Sequence, residues 1–199
     1  MADWESDSPK LQTNLESLLQ SIRDKSPQRL KLTFENARQW QIKFMDGLVV
    51  PDPKFVGRFR GEPDLENINV YVAFIWGVDA QKVPQELKVF EIKLNQILNA
   101  LDNQIGQGDA KSPKDIKDVL ECCAWAHGEW VRIHPFVNGN GRTARLWANA
   151  IALCYDLPPF VRLRPHPDGD YGQASASLML GNWDGMVPIF HDMLKDALG

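Results

Sequence analysis

Residues 134–145 read His-Pro-Phe-Val-Asn-Gly-Asn-Gly-Arg-Thr-Ala-Arg. Periodic apolar stretches flank this segment on both sides, so it joins two helices. Upstream, Ser112-Pro113 is an N-cap followed by proline at the first helical position, and the helix it opens runs through Trp130 to about Ile133. Downstream, a helix over about 142–155 carries Leu146, Ala150, Ile151 and Leu153. A glycine-rich turn between two long helices predicts a mainly α helical bundle.

Further out the same spacing recurs. Leu11, Leu15, Leu18, Leu19 and Ile22 mark one helix. Ser26-Pro27 repeats the cap-and-proline signal and predicts a helix to about Met45, ended by Asp46-Gly47. Another runs from Val83-Pro84 to Leu101 and stops at Gly106-Gln107-Gly108. Pro158, Pro159, Pro165 and Pro167 mark a loop, and two last helices are expected near 171–180 and 184–198. Residues 55–60 and 68–74 alternate or are β-branched, with a turn-like Gly61-Glu62-Pro63-Asp64 between them. They predict a small β-hairpin that leans on the helices. The chain divides into a polar, disordered tail and helix over 1–26 and one domain over 27–199.

Composition narrows the function. A chain of 199 residues, 44% hydrophobic, can build one full core. A net charge of -4 and a pI of about 5.6 argue against a general nucleic-acid binder. No stretch reaches the 18 or more apolar residues of a membrane span, and the acidic start lacks the apolar core of a secretory signal. Cys122, Cys123 and Cys154 form neither a zinc spacing nor a disulfide framework. They read as buried, reduced thiols in a cytoplasmic protein. The seven tryptophans are scattered, as core residues are.

The chemistry sits in 134–145. Gly139-Asn140-Gly141 lets the backbone turn several N–H groups toward one point. The helix that starts there adds its positive end. Asn140 offers a side-chain N–H, and Arg142 and Arg145, three apart, share a helix face suited to phosphate oxygens. His134 stands where it can take a proton from an incoming hydroxyl. Each element alone is ordinary. Eight specified residues at fixed spacing arise by chance less than roughly once in 10⁸ windows, which favours a joint role. The loop lacks the Lys-Ser/Thr pair of a Walker A segment.

His134-Pro135-Phe136-x-x-Gly139-Asn140-Gly141-Arg142-x-x-Arg145 resembles the signature of the Fic (Fido) family. His127, seven residues before His134, fits the helix leading to that signature. Residues 56–61 with the strand-like 68–74 resemble the family's flap. Tyr171 and 182–184 resemble its last helices. The resemblance covers about residues 27–195. It implies a Fic-fold helical bundle with a small β-hairpin flap. It also implies transfer of AMP from ATP to a Tyr, Thr or Ser hydroxyl of a target protein.

Position by position, the resemblance makes His134 the general base and Phe136 a core anchor of the loop. It gives the α- and β-phosphates to Gly139, Asn140 and Gly141, further phosphate contact to Arg142, the γ-phosphate to Arg145 and the adenine to Tyr171. Ile68, Asn69, Val70, Tyr71 and Val72 would hold the target by strand addition.

Two departures stand out. AMP-transferring members carry Asp or Glu at position 138, as a ligand to Mg²⁺; here it is Asn138, whose amide oxygen brings no charge. A weakened metal site, a different phosphate-bearing donor and a nucleotide-binding interaction module with little turnover all remain open. The family's inhibitory pattern, Ser/Thr four residues before Glu-Gly/Asn, is missing. Lys31 and Glu62 stand four before the two Glu-Asn pairs. The resemblance then implies a separate inhibitor protein or none. Arg58 and Arg60 are candidates to steer a target or bind phosphate, or are a solvated strand. His166 and His191 lack ligand-spaced partners.

Overall fold

The computed structural model describes residues 8–25, 29, 31–72, 74–106, 110, 112–163, 167 and 169–199. In order, these form α1 (Pro9–Lys25), α2 (Phe34–Met45), β1 (Tyr71–Val72), β2 (Ile75–Trp76), α3 (Val83–Ile105), α4 (Pro113–Ile133), α5 (Asn140–Cys154), α6 (Asp170–Leu178) and α7 (Met186–Leu198). Ser26-Pro27, His166, Pro165, residues 1–7 and Gln107-Gly108 lie outside the described residues.

The molecule is organised around α5, whose residues are buried along nearly its whole length, polar ones included. A helix can be buried all round only if others enclose it. The long helix α4 packs along α5, and α1, α2 and α3 complete the enclosure, with α6 and α7 laid on α4. Leu11, Leu15, Leu18 and Ile22 carry α1 into the same core as Trp130, Phe136 and Trp147. Aromatic rings fill the centre: Phe90 meets Trp147 at 5.3 Å and Trp125 at 5.4 Å, and Trp40 meets Trp147 at 4.9 Å. Cys122, Cys123 and Cys154 are buried, and no disulfide joins them among the described residues.

Caps fix the helix starts. Ser112 Oγ accepts from Asp115 N at 3.0 Å, at the start expected for α4. The second helix begins later than the sequence predicts. Residues 31–33 are not helical, and Thr33 is the N-cap of α2: its O accepts from Asn36 N at 3.0 Å and its N–H donates to Asn36 Oδ1 at 2.7 Å. The buried Leu32 ahead of that cap is better served by an extended approach to the core than by another helical turn.

The hairpin is also displaced. Residues 55–60 form no strand: Pro53–Phe55 is a 3-10 turn, and Gly57 and Gly61 take φ of 69° and 85°. The sheet is the short antiparallel pair β1–β2, with Tyr71 opposite Trp76 and Val72 opposite Ile75. Burial does not alternate over 55–60 either, since the adjacent Phe59 and Arg60 are both buried while Arg58 is partly exposed. The segment is irregular and anchored by Phe59 on Phe136, not by strand pairing.

Candidate active site

His134 ends α4 in the left-handed region (φ 52°, ψ 55°), while its N–H still closes the last turn on Trp130 O at 3.0 Å. That conformation is strained for a non-glycine residue and turns the chain sharply out of the helix. Its Nδ1 lies 3.1 Å from Val131 O. A carbonyl only accepts, so Nδ1 carries the hydrogen and the neutral ring keeps its lone pair on Nε2. Burial lowers the His134 pKa to about 4; the Val131 bond opposes the fall and Arg60 adds to it. Partial burial beside a fixed cation thus holds it well below the ordinary histidine value.

The turn after His134 is held from inside. Asn140 is buried, and its amide clamps Phe136: Oδ1 accepts from Phe136 N and Nδ2 donates to Phe136 O, both at 2.9 Å. One of the two side-chain N–H groups is therefore committed to the loop, so that Asn140 shapes the turn as well as lining the cleft. Gly139 requires its φ of 94°, and a Cβ there would meet Phe44 Cζ at 2.9 Å. Gly141 is not a turn residue. It lies in the first turn of α5, where a Cβ would sit 3.4 Å from Arg145 Nη1.

Arg142 and Arg145 project from that first turn. Arg142 Nη2 donates to Asn138 Oδ1, and its guanidinium lies 5.1 Å from the Phe44 ring centroid. Arg145 Nη2 donates to Leu163 O at 3.1 Å. Asn149 holds the loop that presents this carbonyl, bonding Val161 O at 2.8 Å and the Phe160 and Val161 amides at 3.0 and 2.9 Å. His134, Asn138, the Gly139–Gly141 backbone and both arginines share one cleft of about 490 Å³ with Val70, Tyr71 and Val72 of the hairpin.

No carboxylate is among the described residues lining this cleft. The one side-chain oxygen at the position of the usual acidic ligand, Asn138 Oδ1, already accepts from Arg142. Among the described residues no three His, Cys, Asp or Glu side chains converge to hold a metal. Protein-bound Mg²⁺ usually has one or two carboxylates beside substrate phosphates and water; the described lining offers none and its fixed charge is cationic, so this donor set fits Mg²⁺ poorly.

Other expected residues fall elsewhere. Tyr171 does not line the cleft. It is buried, and its hydroxyl lies 2.8 Å from His127 Nε2. Ile68 and Asn69 do not line it either: Ile68 O accepts from Arg60 Nη1 and Asn69 Oδ1 from Ala80 N. Arg60 is neither solvated nor turned toward phosphate, being fully buried. Arg58 pairs at the surface with Glu62 and Asp64. His191 lies in α7 beside Asp192, 3.5 Å away. Gln41 escaped the sequence reading. Buried in α2, it accepts from Gly57 N at 2.5 Å and donates to Phe55 O (3.2 Å) and Asn138 O (3.5 Å), tying the loop to the helix. A lone glutamine on an amphipathic helix gives no signal of such a role.

Buried His127 and partly buried His134 make stability pH-dependent. Burial first, then Arg145, lowers the His127 pKa to about 3. Both folded values lie below the ordinary 6.5, so the unfolded chain binds more protons in between. Their stabilisation is complete above 6.5 and lost as pH falls through 6.5 toward 4 and 3. Melting temperature should therefore fall between pH 6.5 and 4, and His127→Gln should flatten that fall. An unchanged slope in the variant would count against the burial argument.

The sequence pattern of the Fic/DOC family matches residues 32–152. Over 80 residues the chain is 48% identical to protein adenylyltransferase fic-1 of Caenorhabditis elegans, covering 40% of this chain and 15% of that protein. Over 52 residues it is 46% identical to protein adenylyltransferase Fic of Nematostella vectensis, covering 26% and 12%. The chain thus spans a small part of the length of these relatives. Two solved structures are similar throughout. A Fic-domain signalling protein of Bacteroides thetaiotaomicron has a TM-score of 0.61 at 20% identity, over 94% of this chain and 68% of that one. BepC of Bartonella tribocorum, solved with bound AMPPNP, has a TM-score of 0.58 at 15% identity, over 97% and 90%. At these identities the likeness is one of fold.

Proposed function

Because the chain belongs to the Fic/DOC family, we propose that it transfers AMP from ATP to a hydroxyl side chain of a target protein. The observation that carries this reading is the shared cleft: a histidine with a fixed tautomer faces the same space as two arginines and the N-terminus of α5. The target hydroxyl attacks the α-phosphorus, the bond from that phosphorus to the bridging oxygen breaks, and pyrophosphate leaves with the electron pair. His134 Nε2 takes the hydroxyl proton as the new oxygen–phosphorus bond forms. Neutral at ordinary pH, it is already in the form a base needs. The N–H groups at the start of α5 and the guanidiniums of Arg142 and Arg145 neutralise the charge that grows on the phosphates. The exposed edge of β1–β2 offers main-chain groups to a target segment.

The test is to incubate the protein with ATP and a cell extract, with Mg²⁺ or with EDTA, and to follow AMP addition by mass spectrometry. Labelling is expected in both conditions, and ATP affinity should differ by less than about threefold between them, since Arg142 engages Asn138 Oδ1 and both arginines supply fixed positive charge to the cleft. Asn138→Asp should make labelling Mg²⁺-dependent. A wild-type protein that binds ATP but labels nothing would overturn AMP transfer. It would favour a second reading that the Asn138–Arg142 bond supports, in which the cleft holds another phosphate-bearing donor or binds nucleotide without turnover.

A further inference from the structure

Arg60 is fully buried, and its guanidinium donates to four main-chain carbonyls. Nε reaches His134 O at 2.8 Å, Nη1 reaches Ile68 O at 3.2 Å, and Nη2 reaches Val78 O at 2.8 Å and Ile133 O at 3.0 Å. Its own N–H donates to Pro135 O at 2.8 Å. Ile68 and Val78 flank the hairpin. Ile133, His134 and Pro135 are the end of α4 and the start of the motif loop. One side chain therefore bonds the two ends of the hairpin to the backbone of the base. A two-residue hairpin is marginal by itself, so its position has to be imposed from outside.

The residue type fits this task. Burying a guanidinium is costly, and an apolar side chain of similar volume would fill the space more cheaply. Only arginine presents planar donors fixed in a fork wide enough to meet carbonyls from two segments at once. Gly77 closes the same junction. Its N–H donates to Val70 O at 3.1 Å. A Cβ on Gly77 would lie 3.0 Å from His134 Cβ, 3.2 Å from Val70 Cγ2 and 3.3 Å from Arg60 Nη2.

We propose that Arg60 is a positioning residue that locks the β1–β2 hairpin and His134 into one rigid unit, with Gly77 as the close-packed seam between them. Its consequence for catalysis rests on the transfer reading above: a target segment laid along the hairpin meets Nε2 at a set distance. The lock concerns the acceptor side of the reaction, not the nucleotide cradle on α5.

Gly77→Ala wedges the seam while keeping the guanidinium, and Gly77 is outside the left-handed region, so alanine is compatible with its backbone. Hydrogen exchange of the Gly77 and His134 amides should rise together in this variant, by about tenfold. ATP affinity should stay within about threefold of wild type. Turnover should fall about tenfold or more while target KM stays within about threefold, since small misplacements near the reacting atoms act on rate. Arg60→Lys should give the same pattern more strongly, because one ammonium cannot span four carbonyls. If it fails to fold, Gly77→Ala decides alone. Exchange that rises at Gly77 with His134 unchanged, or wild-type turnover in Gly77→Ala, would overturn the lock. The exchange measurement needs no activity, so a protein that transfers no AMP overturns the transfer reading and leaves the lock to be judged by exchange.

Discussion

His134→Ala is expected to lower AMP transfer by about 10³-fold, in the middle of the range for removal of a positioned general base. The argument is geometric. The Nδ1–H bond to Val131 O leaves Nε2 as the only ring acceptor, on a side chain that lines the cleft with both arginines. A hydroxyl attacking phosphorus must lose its proton, and no carboxylate among the residues lining the cleft can take it. Because Arg142, Arg145 and the α5 terminus are untouched, ATP affinity should change by less than about threefold. The loss then falls on turnover, the signature of an interaction made in the transition state. The acid limb of the wild-type rate profile should lie near pH 4, not near the ordinary histidine value, because the ring resists protonation. A variant that transfers AMP within about tenfold of wild type would remove His134 from the mechanism.

The second large effect is on stability. Phe136→Ala should cost about 3–5 kcal/mol, the range for truncating a fully buried aromatic ring. Phe136 is wholly buried, stacked on Phe59 at 4.8 Å and tilted toward Trp130 at 5.9 Å. Its loss opens a cavity between the motif loop, α4 and the 57–61 segment at once. For a chain of this size the melting temperature should drop by roughly 10 °C. The Asn140 clamp uses only the Phe136 backbone, so it survives the substitution. The loop therefore loses its anchor but keeps its local shape, and any fall in ATP affinity should be recovered in part by Phe136→Leu. Denaturant unfolding measures the first expectation. A change under about 1 kcal/mol would mean the ring does not hold the loop.

What was legible in the chain was the part governed by neighbours in sequence. Ser112-Pro113 begins α4 as read, because a cap needs only residues three apart. The motif loop falls between two helices for the same reason, and the periodic leucines of α1 face the core. What was not legible depends on distant partners. Arg60 looks like half of a solvated arginine pair until the carbonyls of 133 and 134 close around it. Asn140 looks like a phosphate donor alone until Phe136, four residues back, takes both ends of its amide. Tyr171 is drawn to His127, 44 residues away. The alternation at 55–60 promised a strand, yet the segment is irregular and anchored by Phe59 on Phe136. Of the residues named from the sequence, His134, Asn138, Asn140, Arg142 and Arg145 line one cleft, and Tyr171 does not. Which of their atoms are free to act required the structure.

The placement of tryptophan has a practical consequence. Trp40, Trp125, Trp130 and Trp147 lie in the core, while Trp76, on β2, is 64% exposed and 4.8 Å from the Tyr71 ring. The hairpin beside the cleft thus carries its own optical reporter. A soluble quencher such as acrylamide should reach the indole of Trp76 well before those four, so that the quenching lost in Trp76→Phe isolates its signal, and shielding of that signal reads occupancy of the hairpin with no label attached.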